Sequence, residues 1–315
     1  MRCFRLSVWA FLLVVLWQGT ATGEEKKTPH KFPEELVKFK AYAHNPVFRA
    51  AGKGHWDQHI QPRGWIVRDP DNRFYMWYTG YKKNGPMKLG YATSFDGLKW
   101  RRHRANPVYR KHSVQDVSVV ERYGIFYMFA SGKNEKSQLL VSPDRVHWTR
   151  RGKIQVKSRS GGPMPNLLIR SPSAWYGKGK WHLLYTEKKG SGVLLATSKD
   201  SKKWSNVKPK PVLAAGPGKY DKKGIDVHQL FRYRGKYYAY YHGRTEDGKW
   251  TTNIAASDDL LTWEKYSHNP ISPTKGKRSA GMVVFDGNRF RLYTINNEVD
   301  VHFSKRVRAE ELTTN

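Results

Sequence analysis

Apolar residues along this chain come in short blocks that alternate with turn-forming residues. Five aromatic-rich runs recur, at Phe74 to Tyr78, Phe126 to Phe129, Trp181 to Tyr185, Tyr237 to Tyr241 and Phe290 to Tyr293. The first four are each followed by a second short stretch: Lys88 to Thr93, Gln138 to Val141, Gly192 to Thr197 and Thr252 to Ala256. Each second stretch ends in Ser-x-Asp-x-x-x-Trp, at Ser94/Asp96/Trp100, Ser142/Asp144/Trp148, Ser198/Asp200/Trp204 and Ser257/Asp259/Trp263. Runs this short, rich in Tyr, Val, Ile and Trp and bounded by Gly, Asn, Asp and Pro, predict strands rather than helices. The four tryptophans are spaced by 48, 56 and 59 residues. Four strands per unit at such a period predict a propeller blade. The repeated Ser and Asp suit a turn in which both side chains bond nearby backbone, so Asp96, Asp144, Asp200 and Asp259 are read as structural.

The same pattern predicts how the ring closes. The fifth unit ends after Val299 to Ser304 without an Asp turn or a Trp strand. The exit sequence Asn269-Pro270-Ile271 of the fourth unit reappears near the start of the chain as Asn45-Pro46-Val47, and Phe39 precedes Asn45 by the interval that separates Trp263 from Asn269. The expected fold is therefore all-β, a five-bladed β-propeller in which an N-terminal strand from about Val37 to Val47 completes the last blade. Closure of this kind removes an open sheet edge.

Composition adds a location. Residues 1–23 carry Arg2 and Arg5, an apolar stretch from Val8 to Trp17 and the small-residue exit Ala21-Thr22-Gly23. This reads as a secretory signal peptide, too short to span a bilayer. Residues 24–315 then form a single propeller domain, exported as a secreted or periplasmic protein, with no membrane span and as a monomer. Cys3, the only cysteine, leaves with the leader, so no disulfide or thiol chemistry is expected. Removing Arg2 and Arg5 takes the formal net charge from +31 to +29, and the remaining cations are spread through every unit. That charge suits either a solvated basic surface or attraction to a polyanion. With no nucleic-acid module present, the expected polyanion is a sulfated or uronate-bearing polysaccharide and not a nucleic acid.

Alignment of the units on their aromatic runs places the innermost strands near Gln61 to Val67, Asp116 to Val120, Ile169 to Trp175, Asp226 to Phe231 and Ser279 to Val284. Asp57, Asp116 and Asp226 stand at or just before these strands, and Glu187 follows a second strand. Acids at the mouth of one channel are what glycoside hydrolysis needs: one to activate water or attack, one to protonate the leaving oxygen. Arg63, Arg170 and Arg278 fall at comparable inner-strand starts. They either make the mouth cationic for a charged sugar or neutralise the three aspartates. Trp56 either stacks on a sugar face or packs in the core. His59 and His228 each lie two residues after an Asp, on the same strand face, and Arg244 follows His242 on its strand. No dense ligand spacing supports a metal site, and no cofactor is implied, a structural or channel-bound cation being left open.

The segments Phe74-Tyr-Met-Trp-Tyr-Thr-Gly80, Gly90-Tyr-Ala-Thr-Ser94-x-Asp96-Gly97-x-x-Trp100 and Asn106-Pro107-Val108 resemble the blades of five-bladed propeller glycoside hydrolases of families 43, 32 and 117. The resemblance covers nearly all of the chain after the leader. The family 43 pattern implies an Asp in blade one as general base, an Asp in blade two that adjusts acidity and a Glu in blade three as general acid. Asp57 and Asp116 match the first two. Blade three departs, with Ile169-Arg170-Ser171-Pro172 where an Ile-Glu-Gly-Pro-like segment is expected. Asp226 is the first replacement for the missing acid, His242 the second, by similarity to family 117, and Glu187 the third. The resulting expectation is a glycosidase, inverting, that acts on a plant or algal polysaccharide. Asp57 would activate water, Asp116 would tune and Asp226 would donate the proton. The alternative is a non-catalytic, lectin-like propeller.

Overall fold

The computed structural model describes residues 31–133, 136–162, 169–186, 190–271 and 280–307. They form five sheets, largely antiparallel, whose strands follow one another from the channel outward. Blade one comprises His59–Ile60 and Trp65–Arg68, then Phe74–Tyr81, Lys88–Ser94 and Arg101–Arg102. Blade two runs Gln115–Arg122, Ile125–Ser131, Ser137–Ser142 and Thr149–Lys153; blade three runs Arg170–Gly177, Lys180–Thr186, Gly192–Ser198 and Trp204–Asn206. Blade four runs Gly224–Tyr233, Lys236–Arg244, Trp250–Ser257 and Glu264–Lys265. Blade five combines Ala280–Phe285, Arg289–Ile295 and Glu298–Arg306 with two strands from the other end of the chain, Lys40–Ala41 and Phe48–Arg49. No helix among the described residues is long and apolar enough to cross a membrane.

The repeat explains what holds the blades together. In each copy the Asp carboxylate accepts two backbone N–H bonds from the turn it opens, as Asp96 does from Leu98 and Lys99, both at 2.8 Å. Asp144, Asp200 and Asp259 repeat the arrangement. The tryptophan that follows is then set against the second strand of a neighbouring blade. Trp148 meets Trp77 edge-on at 6.0 Å, Trp204 meets Phe129 at 5.8 Å and Trp100 meets Tyr293 at 6.4 Å. Trp263 packs against the cluster that holds Leu184, Val193 and Leu195 of blade three. Such aromatic pairs add about 0.5–1.5 kcal/mol each beyond the area they bury.

The N-terminus closes blade five as expected, but as the two short strands Lys40–Ala41 and Phe48–Arg49 rather than one from Val37 to Val47, with Val37 ending a short helix, Glu34–Val37. Lys40 and Ala41 pair with Phe303 and His302, and Phe48 and Arg49 with Val299 and Glu298. The Asn45 side chain bonds both backbone groups of Val301 at 2.8 Å. Asn106 does the same to Tyr91 and Asn269 to Ile254. Phe39 stands in for the missing tryptophan, packing against the cluster that holds Tyr238 and Tyr240 of blade four. Truncation to residue 50 would strip the outer edge of blade five and expose the Glu298–Arg306 strand. The expected result is loss of soluble monomer, read by size-exclusion chromatography and by loss of cooperative melting.

Candidate active site

The second strands carry small hydroxyl residues at one register position, and their inner-strand partners ring the channel mouth. Thr79 bonds Gln61, Ser131 pairs with Gln115, Thr186 with Arg170 and Thr294 with Gly281. In blade four the same position is His242, paired with Asp226. The inner strands are irregular at this level, with register shifts after Gln115, Arg170 and Val227. Arg63, Asp116 and Ser171 take positive φ values of 77°, 50° and 49°. Such backbone is costly for non-glycine residues, and bulges of this kind re-aim side chains. Here they turn Arg63, Asp116 and Ser171 into one cavity with Gln61, Gln115, Arg170, Asp226, His242, Trp250 and Asn296, of about 330 Å³.

Two acids and two arginines alternate within it. Arg63 Nη1 lies 3.7 Å from Asp116 and also donates to Ser171 Oγ, while its Nη2 donates to the Val227 carbonyl. Ser171 donates to Asp226 at 3.4 Å, and Arg170 lies 3.6 Å from the other Asp226 oxygen. Burial pushes the Asp116 carboxyl up; the Arg63 guanidinium opposes that rise and the charge on Asp226 adds to it. His242 is 4% exposed. Burial, with Arg63 and His228 beside it, holds its imidazole well below the usual histidine range. Its Nε2 has no hydrogen-bond partner among the described residues. Trp250, 37% exposed, stands at the rim 6.2 Å from the His242 ring, with the Arg244 guanidinium 6.0 Å from its own ring.

Asp116, Asp226, His242, Arg63 and Arg170 are thus brought together as the sequence suggested, and Arg244 borders them. Glu187 and Arg278 lie outside the described residues. Asp57 requires a correction, because the structure does not bring it to the channel. Its carboxylate is buried between the strands of blade one, accepting from Arg102 Nε at 2.8 Å and from the Tyr78 hydroxyl at 3.1 Å. Blade four builds the same group: Asp221 accepts from Lys265 Nζ at 2.5 Å and from the Tyr241 hydroxyl at 3.3 Å. Asn106 and Asn269 donate to the two phenols, each from 28 residues further along the chain. A side chain on Gly80 or Gly243 would run into Asp57 or Asp221, with Cβ approaches of 2.6 Å. Asp57 is therefore a repeated internal tie, and the inner-strand position that matches Asp226 in blade one is Gln61.

Three further candidates are also structural. Trp56 stacks on Tyr78 at 5.8 Å and 28° beneath Gly80, and His59 packs on Tyr81. His228 is buried, with one ring nitrogen 3.0 Å from the Gly281 carbonyl and the other 3.1 Å from that of Gly64, so it links blade four to blades five and one. Burial and the nearby Arg63 push its imidazole down to about 3. The sequence did not single out Gln61, Gln115, Ser171, Trp250 or Asn296. Its one available signal was register: Thr79, Ser131, Thr186 and Thr294 align in the runs, which makes His242 the exception and points to the residues paired with each.

A closed ring of five blades thus gathers acids, arginines and an imidazole whose Nε2 is unpartnered among the described residues at one mouth, the arrangement of a propeller with a ligand site. Residues 104–293 match the sequence model of glycosyl hydrolases family 43, over half of the 315-residue chain, and the chain belongs to that family. Solved structures agree on the fold. A Bacteroides thetaiotaomicron protein assigned as a glycosidase superposes with a TM-score of 0.73 at 16% identity, covering 87% of this chain and 99% of its own. The β-1,2-mannobiose phosphorylase of Listeria innocua gives 0.65 at 13%, covering 88% and 98%. A family 117 glycoside hydrolase of Zobellia galactanivorans gives 0.59 at 14%, covering 86% and 91%. No curated protein gives a significant sequence match.

Proposed function

We propose that the chain hydrolyses a glycosidic bond of an oligo- or polysaccharide at this channel mouth, with Asp116 as proton donor and Asp226 as the carboxylate that activates water. The observation that carries the reading is the convergence of the two acids in one cavity. Burial pushes the Asp116 carboxyl up, which keeps its proton available, and Asp226 stands across from it, 3.6 Å from the Arg170 guanidinium and accepting from Ser171. In the step, Asp226 takes a proton from water and the water oxygen bonds to the anomeric carbon. The glycosidic C–O bond breaks as Asp116 gives its proton to the departing oxygen. The proton gained by Asp226 returns to Asp116 through solvent.

These roles differ from those expected from sequence, where Asp57 was the base and Asp226 the acid. They also leave His242 without acid work, because an imidazole held well below the usual histidine range is neutral at neutral pH and lacks the imidazolium proton that a general acid gives up. Its free Nε2 suits a bond to a sugar hydroxyl, and the Trp250 face suits stacking on a sugar ring. Export belongs to the same reading, supported by the leader-like residues 1–23.

The test is turnover of a panel of glycans as a function of pH. Since the donor works protonated, kcat/KM is expected to fall as pH rises through the raised Asp116 value. Asp116→Asn should abolish the alkaline limb along with most of the rate. Glycan binding with no turnover anywhere on the panel would instead favour the lectin-like propeller.

A further inference from the structure

Beside the channel mouth, between blades one and two, lies a larger cleft of about 710 Å³. Its walls are the Asn84–Met87 turn of blade one, the approach segment Lys111–Ser113, the turn around Gly132 and the outer strand of blade two. Gln115 lines both this cleft and the catalytic cavity, so the two adjoin. The volume is within the range of ligand pockets.

The cleft is cationic in a way the cavity is not. In the cavity, Arg63 and Arg170 each face an aspartate. In the cleft, Lys111, Lys133, Lys136, Arg150 and Lys153 are lining residues, all exposed, and the described lining contains no acid. None of the five takes part in an ion pair among the described residues. Arg150 is held in place through Nε, which donates to the buried Gln138 at 2.8 Å, and Gln138 in turn donates to the Ser113 carbonyl at 2.7 Å. Five cations around one concavity, with no acid in its described lining, focus a field that favours anions. The lining carries no Trp, Tyr or Phe on which nucleobases could stack.

We infer that this cleft is an anion-binding subsite for the part of a polysaccharide chain that extends past the scissile bond, and that the substrate carries sulfate or carboxylate groups there. The inference rests on the proposed glycosidase site for the direction of the chain. Its ligand chemistry comes from the cleft alone.

The experiment measures affinity of the full protein for size-matched sulfated, uronate-bearing and neutral oligosaccharides, and for single-stranded DNA of equal charge, at low and at physiological salt. The native protein should bind one or both charged glycans at least tenfold more tightly than the neutral one, with the preference shrinking as salt rises. Lys133→Glu/Lys136→Glu/Lys153→Glu should remove that preference without changing affinity for the neutral glycan. The milder triple Gln variant should give an intermediate loss. Whichever charged glycan loses more identifies the anion. Equal binding of neutral and charged glycans, unchanged affinity in the folded triple variants, or DNA bound as tightly as the charged glycans would overturn the inference. Asp226→Asn separates it from the reading it rests on, since that variant should keep the charged-glycan affinity. A native protein that binds charged glycans through these lysines yet cleaves none would refute the hydrolysis proposal and leave the cleft intact.

Discussion

Asp226→Asn is expected to lower kcat by about 10³-fold, within the range that a positioned acid or base contributes, while the protein keeps its fold. The side chain lies at the start of an inner strand and faces the cavity. With the amide oxygen turned to Arg170, the NH2 can donate to the Ser171 hydroxyl, so the substitution removes charge and basicity more than packing. Asp116→Asn should cost a comparable factor. The double variant should cost much less than the product of the two, because acid and base act in one step. Glycan affinity should change little, as the sugar would be held largely by His242, Trp250 and the neighbouring polar residues.

Asp57→Ala should behave in the opposite way, losing stability and keeping chemistry. The substitution strips the Tyr78 hydroxyl and the Arg102 guanidinium of their shared acceptor in a buried site. Breaking such a pair costs about 3 kcal/mol at the low end of the usual range, which fits the partial exposure of Arg102. For a domain of this size that corresponds to a fall of roughly 6–12 °C in Tm. Below the new transition, turnover per folded molecule should match the native protein. Asp221→Ala, which breaks the blade-four copy, should reproduce the stability loss. Thermal melts paired with activity at a low temperature check both. A large drop in turnover for Asp57→Ala at unchanged Tm would return Asp57 to the reaction.

The contrast shows what could be read along the chain and what could not. Blade count, strand order and closure were legible because each depends on local patterns, such as the Ser-x-Asp turn, the Trp after it and the Asn-Pro exit. Asn45 and Phe39 repeat the roles of Asn269 and Trp263, which is why the N-terminal strand could be placed from sequence. The channel mouth was legible only in part, because the inner strands carry bulges and one break that shift register by a residue. Asp57 precedes a two-residue strand, His59–Ile60, and the chain then breaks before Trp65. The alignment begins the inner strand at Gln61 and takes Asp57 before it as the nearest acid, whereas Gln61 itself occupies the mouth. The spacing that would have exposed the error was present: Asp57, Tyr78, Arg102 and Asn106 parallel Asp221, Tyr241, Lys265 and Asn269. The acidity of Asp116 was not legible at all, since it depends on burial and on Asp226, which is distant in sequence.

The central claim, that Asp116 and Asp226 rather than Asp57 are the reacting acids, is tested most directly by a crystal structure of Asp226→Asn with an oligosaccharide the native enzyme cleaves. The scissile oxygen is expected within hydrogen-bond reach of the Asp116 carboxyl, with residue 226 on the other side of the anomeric carbon and a sugar ring against Trp250. A scissile bond bound elsewhere, with neither residue 116 nor residue 226 beside the anomeric centre, would contradict the account.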